Sequence, residues 1–165
     1  MKAERRALFL DRDGTVIVDA GYTRRPEDVR LLDGAAVALA EAASLGYALV
    51  VVSNQSGVGR GYFTEAELDR VHARMVELLA EHGVALDGAF YCLHAPQEDC
   101  ACRKPKPEML ERAARELGLD LARSAMIGDK ASDVEAGLAA GCAAFLLGEG
   151  EGATWADAMA WLRTK

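Results

Sequence analysis

A chain of 165 residues that is 51 % apolar and 27 % charged, with mean hydropathy of +0.01, can bury a core without disulfide staples and reads as one domain over residues 1–165. The formal charge of −7 and a pI near 5.0 oppose non-specific attraction to nucleic acid or to an anionic membrane surface, and no apolar run approaches the ~20 residues of a membrane span. Four of the first six residues are charged, and the segment lacks the apolar stretch of a signal peptide, so a cytoplasmic monomer with neither nucleic-acid nor membrane partners is expected.

The first predicted strand, residues 7–10, runs directly into Asp11-Arg12-Asp13-Gly14-Thr15. The alternating pleat puts residues i and i+2 on the same side, so Asp11 and Asp13 are expected to face one point at the carboxyl end of a buried strand. Open α/β sheets hold their ligands there. Two close carboxylates repel, and a hard cation such as Mg²⁺ relieves the repulsion. Gly14 allows a sharp turn, and Thr15 adds a hydroxyl. A plain strand-to-turn junction also uses Asp and Gly, so the segment needs support from further along the chain.

That support arrives in order. Residues 48–52 form a second strand ending in Ser53-Asn54-Gln55-Ser56-Gly57, which offers hydroxyls, amides and backbone N–H groups to an anion. Thr64 and Glu67 make a capping box for a helix carrying Leu68, Val71, Met75, Leu78 and Leu79, with a stop near His82-Gly83. A third strand at 89–91 precedes a loop bearing Arg103-Lys104-Pro105. Pro107 and Gly118 then bracket a helix through Met109, Leu110 and Leu117. The fourth strand, 125–127, ends in Gly128-Asp129-Lys130, with Asp133 one turn later. Ala136, Leu138 and Ala139 lie on the next helix, closed by Gly141, before a strand at 143–147, a flexible acidic turn at 148–152 and an amphipathic helix marked by Trp155, Met159 and Leu162.

Strands alternating with helices predict an α/β fold with a parallel sheet. An acid after one strand, a serine after another, a lysine and a further acid are the parts of phosphoryl transfer through a carboxylate nucleophile. A carboxylate resists attack on a phosphate dianion unless metal and lysine charges screen it. Arg103, Lys104, Lys130 and Arg60 are the cations available to that phosphate.

Cys92-x-His94 followed by Cys100-x-Cys102 gathers four soft ligands in one loop, 92–102. The set suits tetrahedral Zn²⁺, and with every position filled by protein the metal is structural. A disulfide fits a cytosolic enzyme poorly, and thiols clustered around a histidine in a polar loop are unlike unrelated buried thiols. Cys142 opens an apolar strand and reads as a small core residue, while His72 and His82 read as surface or boundary positions.

DRDGT, the Ser53 strand end, Lys104 and GDKASD together resemble, in order, the four motifs of the haloacid dehalogenase superfamily of phosphatases. The resemblance implies a three-layer α/β/α Rossmann-like parallel sheet. It makes Asp11 the nucleophile and Asp13 the proton donor and then the base. Mg²⁺ would sit on Asp11, the backbone carbonyl of Asp13 and Asp129, with Ser53 and Lys104 on the transferring phosphoryl group. The chain has no room for the separate cap domain many members carry, so a capless site walled by loops 19–28, 57–63 and 94–102 is expected.

Within the superfamily, the CxH…CxC loop before RKP is similar to that of the heptose 1,7-bisphosphate phosphatases and of the histidinol-phosphate phosphatases. Gly21-Tyr22, the NQSG of residues 54–57, the RG-x-F-T of residues 60–64 and the LDG of residues 86–88 resemble the first group. That implies removal of the 7-phosphate of D-glycero-D-manno-heptose 1,7-bisphosphate in nucleotide-activated heptose biosynthesis. The short loop between His94 and Cys100 is shared with the second group, which stays open as the alternative. By the same resemblance Arg12, Asp19, Ala20, Gly21, Tyr22, Ser53, Asn54, Gln55, Ser56, Arg60, Arg103, Lys104 and Lys130 contact a small phosphorylated sugar, Arg103 holding its far end. A polynucleotide 3′-phosphatase also uses a capless DxDGT core but must attract DNA, which this acidic chain does not. A zinc-stabilised binding module has no need for Asp11, Asp13, Lys104 and Asp129 together.

Overall fold

The computed structural model describes residues 4–148 and 154–165, so the acidic turn expected at 148–152 lies, apart from Gly148, outside the described residues. Five strands, β1 (Ala7–Leu10), β2 (Ala48–Asn54), β3 (Gly88–Cys92), β4 (Ala125–Gly128) and β5 (Ala143–Leu146), form one sheet in the order β3-β2-β1-β4-β5. Every neighbouring pair is parallel. The helices are α1 (Ala35–Ser44), the four-residue α2 (Ser56–Gly59), α3 (Glu65–Ala80), α4 (Glu108–Leu117), α5 (Ala131–Ala139) and α6 (Trp155–Arg163).

The alternation of side chains along the strands separates two apolar layers. Leu8 and Leu10 of β1 and Leu49 and Val51 of β2 pack with Leu39 of α1, Val71, Met75 and Leu79 of α3, and Met159 and Leu162 of α6. Ala7, Phe9, Val50 and Val52 face the opposite way, onto Met109, Leu110 and Ala113 of α4 and Ala136 of α5. The central strands are therefore apolar at every position because both their faces are covered. This is the three-layer α/β/α arrangement expected, and among the described residues no second domain interrupts it.

Local signals account for three of the helix ends. The Glu67 N–H donates to Thr64 Oγ1 at 3.1 Å while the Thr64 N–H donates to Glu67 Oε1 at 3.0 Å, which closes the first turn of α3. Thr154 and Asp157 repeat the device on α6, a pair the sequence analysis passed over. Gly118, with φ of 66°, ends α4.

Three strands, β2, β3 and β4, run past their predicted limits. β2 continues through Ser53 and Asn54 because β3 supplies partners for both, Tyr91 and Cys92. β5 stops at Leu146, one residue early. Strand order reverses direction at β1, with β2 and β3 to one side and β4 and β5 to the other. The carboxyl ends of β1, β2 and β4 thus open onto the crevice where parallel sheets bind ligands. Among the described residues no helix is long and apolar enough to cross a membrane.

The α5–β4 packing gives a stability test. A Cβ built on Gly137 would stand 2.6 Å from Met126 Cβ and 3.3 Å from Ala144 Cβ, and neither atom can rotate away. Gly137→Ala should gain about 1 kcal/mol of helix propensity yet lose about 1–3 kcal/mol to overpacking. The urea midpoint should fall with an unchanged slope.

Candidate active site

Lys104 organises the floor of the crevice. The Asn54 side chain clamps its backbone, accepting from the Lys104 N–H at 3.0 Å and donating to the Lys104 carbonyl at 3.1 Å. Its side chain, 3 % exposed, donates from Nζ to Asp11 Oδ1 at 3.0 Å, Asp133 Oδ1 at 2.5 Å and the Val52 carbonyl at 2.8 Å. Burial disfavours the ammonium, but the charges of Asp11 and Asp133 outweigh it and raise the Lys104 pKa above its ordinary value. Burial likewise opposes ionised Asp11, yet Lys104, the Arg12 N–H and Lys130 together hold that carboxyl below the usual range.

Three carboxylates converge beside this lysine. One oxygen each from Asp11, Asp129 and Asp133 lies within 4.8 Å of the others. Asp129 Oδ1 is buried with no hydrogen-bond partner. Burial and then the Asp11 charge push the Asp129 carboxyl up to about 6. An orphaned oxygen and unrelieved repulsion among hard oxygen donors are what a site for Mg²⁺ presents, so these residues fit the ion that the motifs imply. Gly14, with φ of +80°, lies so close to Asp129 that any Cβ there would overlap its carboxylate.

Asp133 belongs to this cluster although the sequence analysis assigned it no role. Its Oδ2 accepts from the Lys130 N–H at 3.0 Å, and a Cβ on Gly128 would strike its side chain. The spacing of the GDKASD segment, which puts an acid in the first turn of α5 facing the strand end, was the available signal.

The reasoning that carried Asp13 to the side of Asp11 holds only as far as the strand. The chain leaves β1 at Asp11 and folds into a tight loop, in which the Val16 and Ile17 N–H groups both donate to the Arg12 carbonyl at 2.9 and 3.0 Å. Asp13 lines the crevice with Asp11 but has different partners, taking Gln55 Nε2 at 2.8 Å and Arg12 Nη2 at 3.2 Å.

Arg12, expected to contact substrate, is fully buried at 0 % exposure. It turns under the floor to Asp13 and to Gln55 Oε1 at 3.1 Å, with its guanidinium carbon 5.9 Å from the centre of the Tyr91 ring. Ser53 is also buried, accepting from Gln55 Nε2 at 2.8 Å. Both side chains meet at Gln55, Arg12 from the loop after β1 and Ser53 from the end of β2.

Above the floor opens a cleft of about 560 Å³. Asp19, Gly21 and Tyr22 make one wall, Ser56, Gly57 and Arg60 a second, and Arg103, Pro105, Lys130 and Ser132 the rest. Ala20 is exposed outside the lining. Loops 19–28 and 57–63 wall the cleft as expected, but loop 94–102 does not. Its His94, Cys100 and Cys102 gather with Cys92 of β3 and it lines a neighbouring hollow with Arg103, while Lys130 and Ser132, at the start of α5, complete the cleft. Arg60, Arg103 and Lys130 give this rim of an acidic protein a local positive charge.

Cys92, His94, Cys100 and Cys102 offer four donor atoms within 4.8 Å of one another. Cys92 Sγ is 3.7 Å from Cys100 Sγ and 3.6 Å from His94 Nδ1, which is 3.3 Å from Cys102 Sγ. Ligands at ~2.3 Å from a tetrahedral zinc stand about 3.8 Å apart, so the set fits that ion. Burial and the Cys102 side chain push the Cys92 thiol up to about 12, leaving thiolate formation to a bound cation. Cys142 is buried in the α4/α5 layer, apart from the cluster. His72 is half-buried against the Tyr91 hydroxyl at 2.7 Å.

Comparison with known proteins agrees with this geometry. The HAD-hydrolase-like family model matches residues 101–161. The chain is 48 % identical over 134 residues, 81 % of its length and 77 % of the relative's, to the D-glycero-beta-D-manno-heptose-1,7-bisphosphate 7-phosphatase of Helicobacter pylori strain J99. It is 46 % identical over 141 residues, 81 % of its length and 74 % of the relative's, to the protein of that name from Escherichia coli K12. The crystal structure of D,D-heptose 1,7-bisphosphate phosphatase from B. bronchiseptica, complexed with magnesium and phosphate, superimposes with a TM-score of 0.85 at 34 % identity, covering 96 % of this chain and 98 % of that one. With relatives this similar over four-fifths of its length, and with the acid, lysine and acid of the motifs gathered at one sheet edge, the chain belongs to the haloacid dehalogenase-like phosphatases.

Proposed function

We propose that this protein removes the 7-phosphate of D-glycero-D-manno-heptose 1,7-bisphosphate by way of an aspartyl-phosphate on Asp11. The observation that carries the reading is the placement of Asp11 against the Lys104 ammonium, 3.0 Å away, at the bottom of a cleft whose rim bears Arg60, Arg103 and Lys130. One phosphate of the substrate sits on the floor, and the other meets the rim. The imidazole and amine of histidinol phosphate would gain nothing from three cations, so the same rim disfavours that alternative. The names carried by the relatives support the heptose substrate.

The chain's own residues account for each proton. Asp11 attacks phosphorus in line, the bond from phosphorus to the sugar oxygen breaks, and that oxygen takes the proton carried by Asp13. Ionised Asp13 then takes a proton from water, whose oxygen attacks the phosphoryl group, releasing inorganic phosphate and freeing Asp11. Gln55 and Arg12 hold Asp13 in place for both transfers. Lys104 neutralises charge on the phosphoryl oxygens. Mg²⁺ held by Asp11, Asp129 and the Asp13 carbonyl, with Asp133 beside them, would screen the carboxylates and the phosphate from each other. Zn²⁺ on Cys92, His94, Cys100 and Cys102 would tie the loop that presents Arg103 and Lys104 and has no open position for chemistry.

Asp11→Asn should keep the fold and lose turnover by several orders of magnitude, because an amide cannot form an acyl phosphate. Hydroxylamine should convert the acyl phosphate of the wild type to a hydroxamate at Asp11 with release of phosphate, and should leave the variant unmodified. Near-normal turnover by the variant would exclude the covalent route.

Elemental analysis of the purified protein should find about one equivalent of zinc. Mild chelation that strips Mg²⁺ should stop turnover and leave this zinc in place, after which Mg²⁺ alone restores activity. Protein without zinc whose four ligands remain ordered would count against the structural site.

Arg103→Ala should lower kcat/KM for heptose bisphosphate by about 10- to 150-fold, the loss of one charge-assisted contact of ~1.5–3 kcal/mol, and far less for p-nitrophenyl phosphate. Equal losses on both substrates would move Arg103 to the reacting phosphate.

A further inference from the structure

We infer that Tyr62, a residue outside the cleft lining, determines specificity by positioning Tyr22: its ring holds the Asp19–Tyr22 wall in place, and that wall selects phosphate esters with a large polar body over small ones. The inference rests on the reading of the cleft as a sugar-phosphate site.

Tyr22 lines the cleft and Tyr62 does not. Each ring is 50 % exposed, so burial in the core does not explain why they meet. Yet their centroids are 4.7 Å apart with planes at 74°, the edge-on geometry in which the positive rim of one ring faces the negative face of the other. Each tyrosine follows directly on a glycine in the left-handed region, Gly21 with φ of +84° and Gly61 with φ of +76°. A side-chain-bearing residue enters that region at a cost, so two special turns aim the two rings at one point.

The supports beneath them are unequal. The Tyr62 N–H donates to the Gly57 carbonyl at 2.8 Å and the Gly61 N–H to the Val58 carbonyl at 3.0 Å, while the Gly59 N–H donates to Leu93 beyond β3 at 2.9 Å. Phe63, next in the chain, is buried with its ring against Gly57. Residues 19–24, by contrast, make no hydrogen bond to the rest of the described chain. Their internal bond runs from the Gly21 N–H to Asp19 Oδ1 at 3.0 Å, and they are fixed at either end by the Val18 N–H on the Arg30 carbonyl at 2.8 Å and by buried Thr23. Tyr62 is therefore the anchored partner, and Tyr22 the one it holds. A phosphate ester too small to reach the wall reacts at Asp11 without sensing it, whereas a sugar bisphosphate must be seated against it.

Tyr62→Ala and Tyr62→Phe in the full chain test this. With alanine, KM for heptose bisphosphate should rise about two- to ten-fold with kcat unchanged, KM for acetyl phosphate should stay at the wild-type value, and the NMR backbone order parameters of residues 19–24 should fall. Phenylalanine keeps the ring and should restore all three. Equal changes in KM on both substrates, or loop order parameters identical to wild type in the alanine variant, would overturn the role of Tyr62. If the wild type ignores heptose bisphosphate and hydrolyses another sugar phosphate, the proposed substrate falls alone, because the same comparison on that ester, together with order parameters measured without substrate, still decides for or against Tyr62.

Discussion

The buried ammonium of Lys104 is the constraint around which the rest of the site is arranged. Asp11, Asp129 and Asp133 crowd one end of the sheet, and three carboxylates so close would drive one another neutral or apart without compensating charge. Lys104 supplies that charge to two of them at hydrogen-bond distance. A buried ion pair of this kind is weak as a source of stability, since desolvation cancels much of the attraction. Its value lies in geometry, because Nζ can satisfy Asp11, Asp133 and the Val52 carbonyl together only when β1, β2 and α5 are in register.

That requirement explains features distant from the chemistry. The lysine is on a loop, the least rigid kind of support, so its main chain is fastened twice. Asn54, in the last position of β2, forms two hydrogen bonds to the Lys104 peptide groups, and the Cys/His cluster lies immediately upstream. The glycines at strand ends serve the same geometry. Gly14 and Gly128 leave space that the Asp129 and Asp133 side chains fill, so the acids approach the backbone more closely than a Cβ would permit.

The molecule divides rigid chemistry from adaptable recognition. The floor comes from the carboxyl ends of three central strands, buried on both faces and fixed by the sheet. The walls come from connections that the sheet does not constrain, and these hold the cationic rim and the tyrosine pair. An acidic chain of net charge −7 thereby meets an anionic substrate through a local field of opposite sign, which steers it to one mouth and leaves the remaining surface repellent to other polyanions.

The sequence by itself determined the strands and helices, because a residue buried on both faces of a parallel sheet must be apolar at every step and an amphipathic helix must repeat near 3.6. It also determined the chemical inventory, since acids at the carboxyl ends of strands and a lysine on a loop are legible from local pattern alone. The tertiary structure decided which way those groups face. Asp11 and Asp13 line one crevice but took different partners, because a loop of main-chain hydrogen bonds replaced the pleat. Arg12 and Ser53 are buried against Asp13 and Gln55, two residues of the cleft lining. Asp133 joined the cluster because Lys104, 29 residues away, reached it across the sheet, and loop 94–102 lies outside the cleft lining because its three donors gather with Cys92 at the end of β3. Periodicity reports the local backbone, and outside regular elements the direction of a side chain is set by partners remote in sequence, which no local pattern encodes.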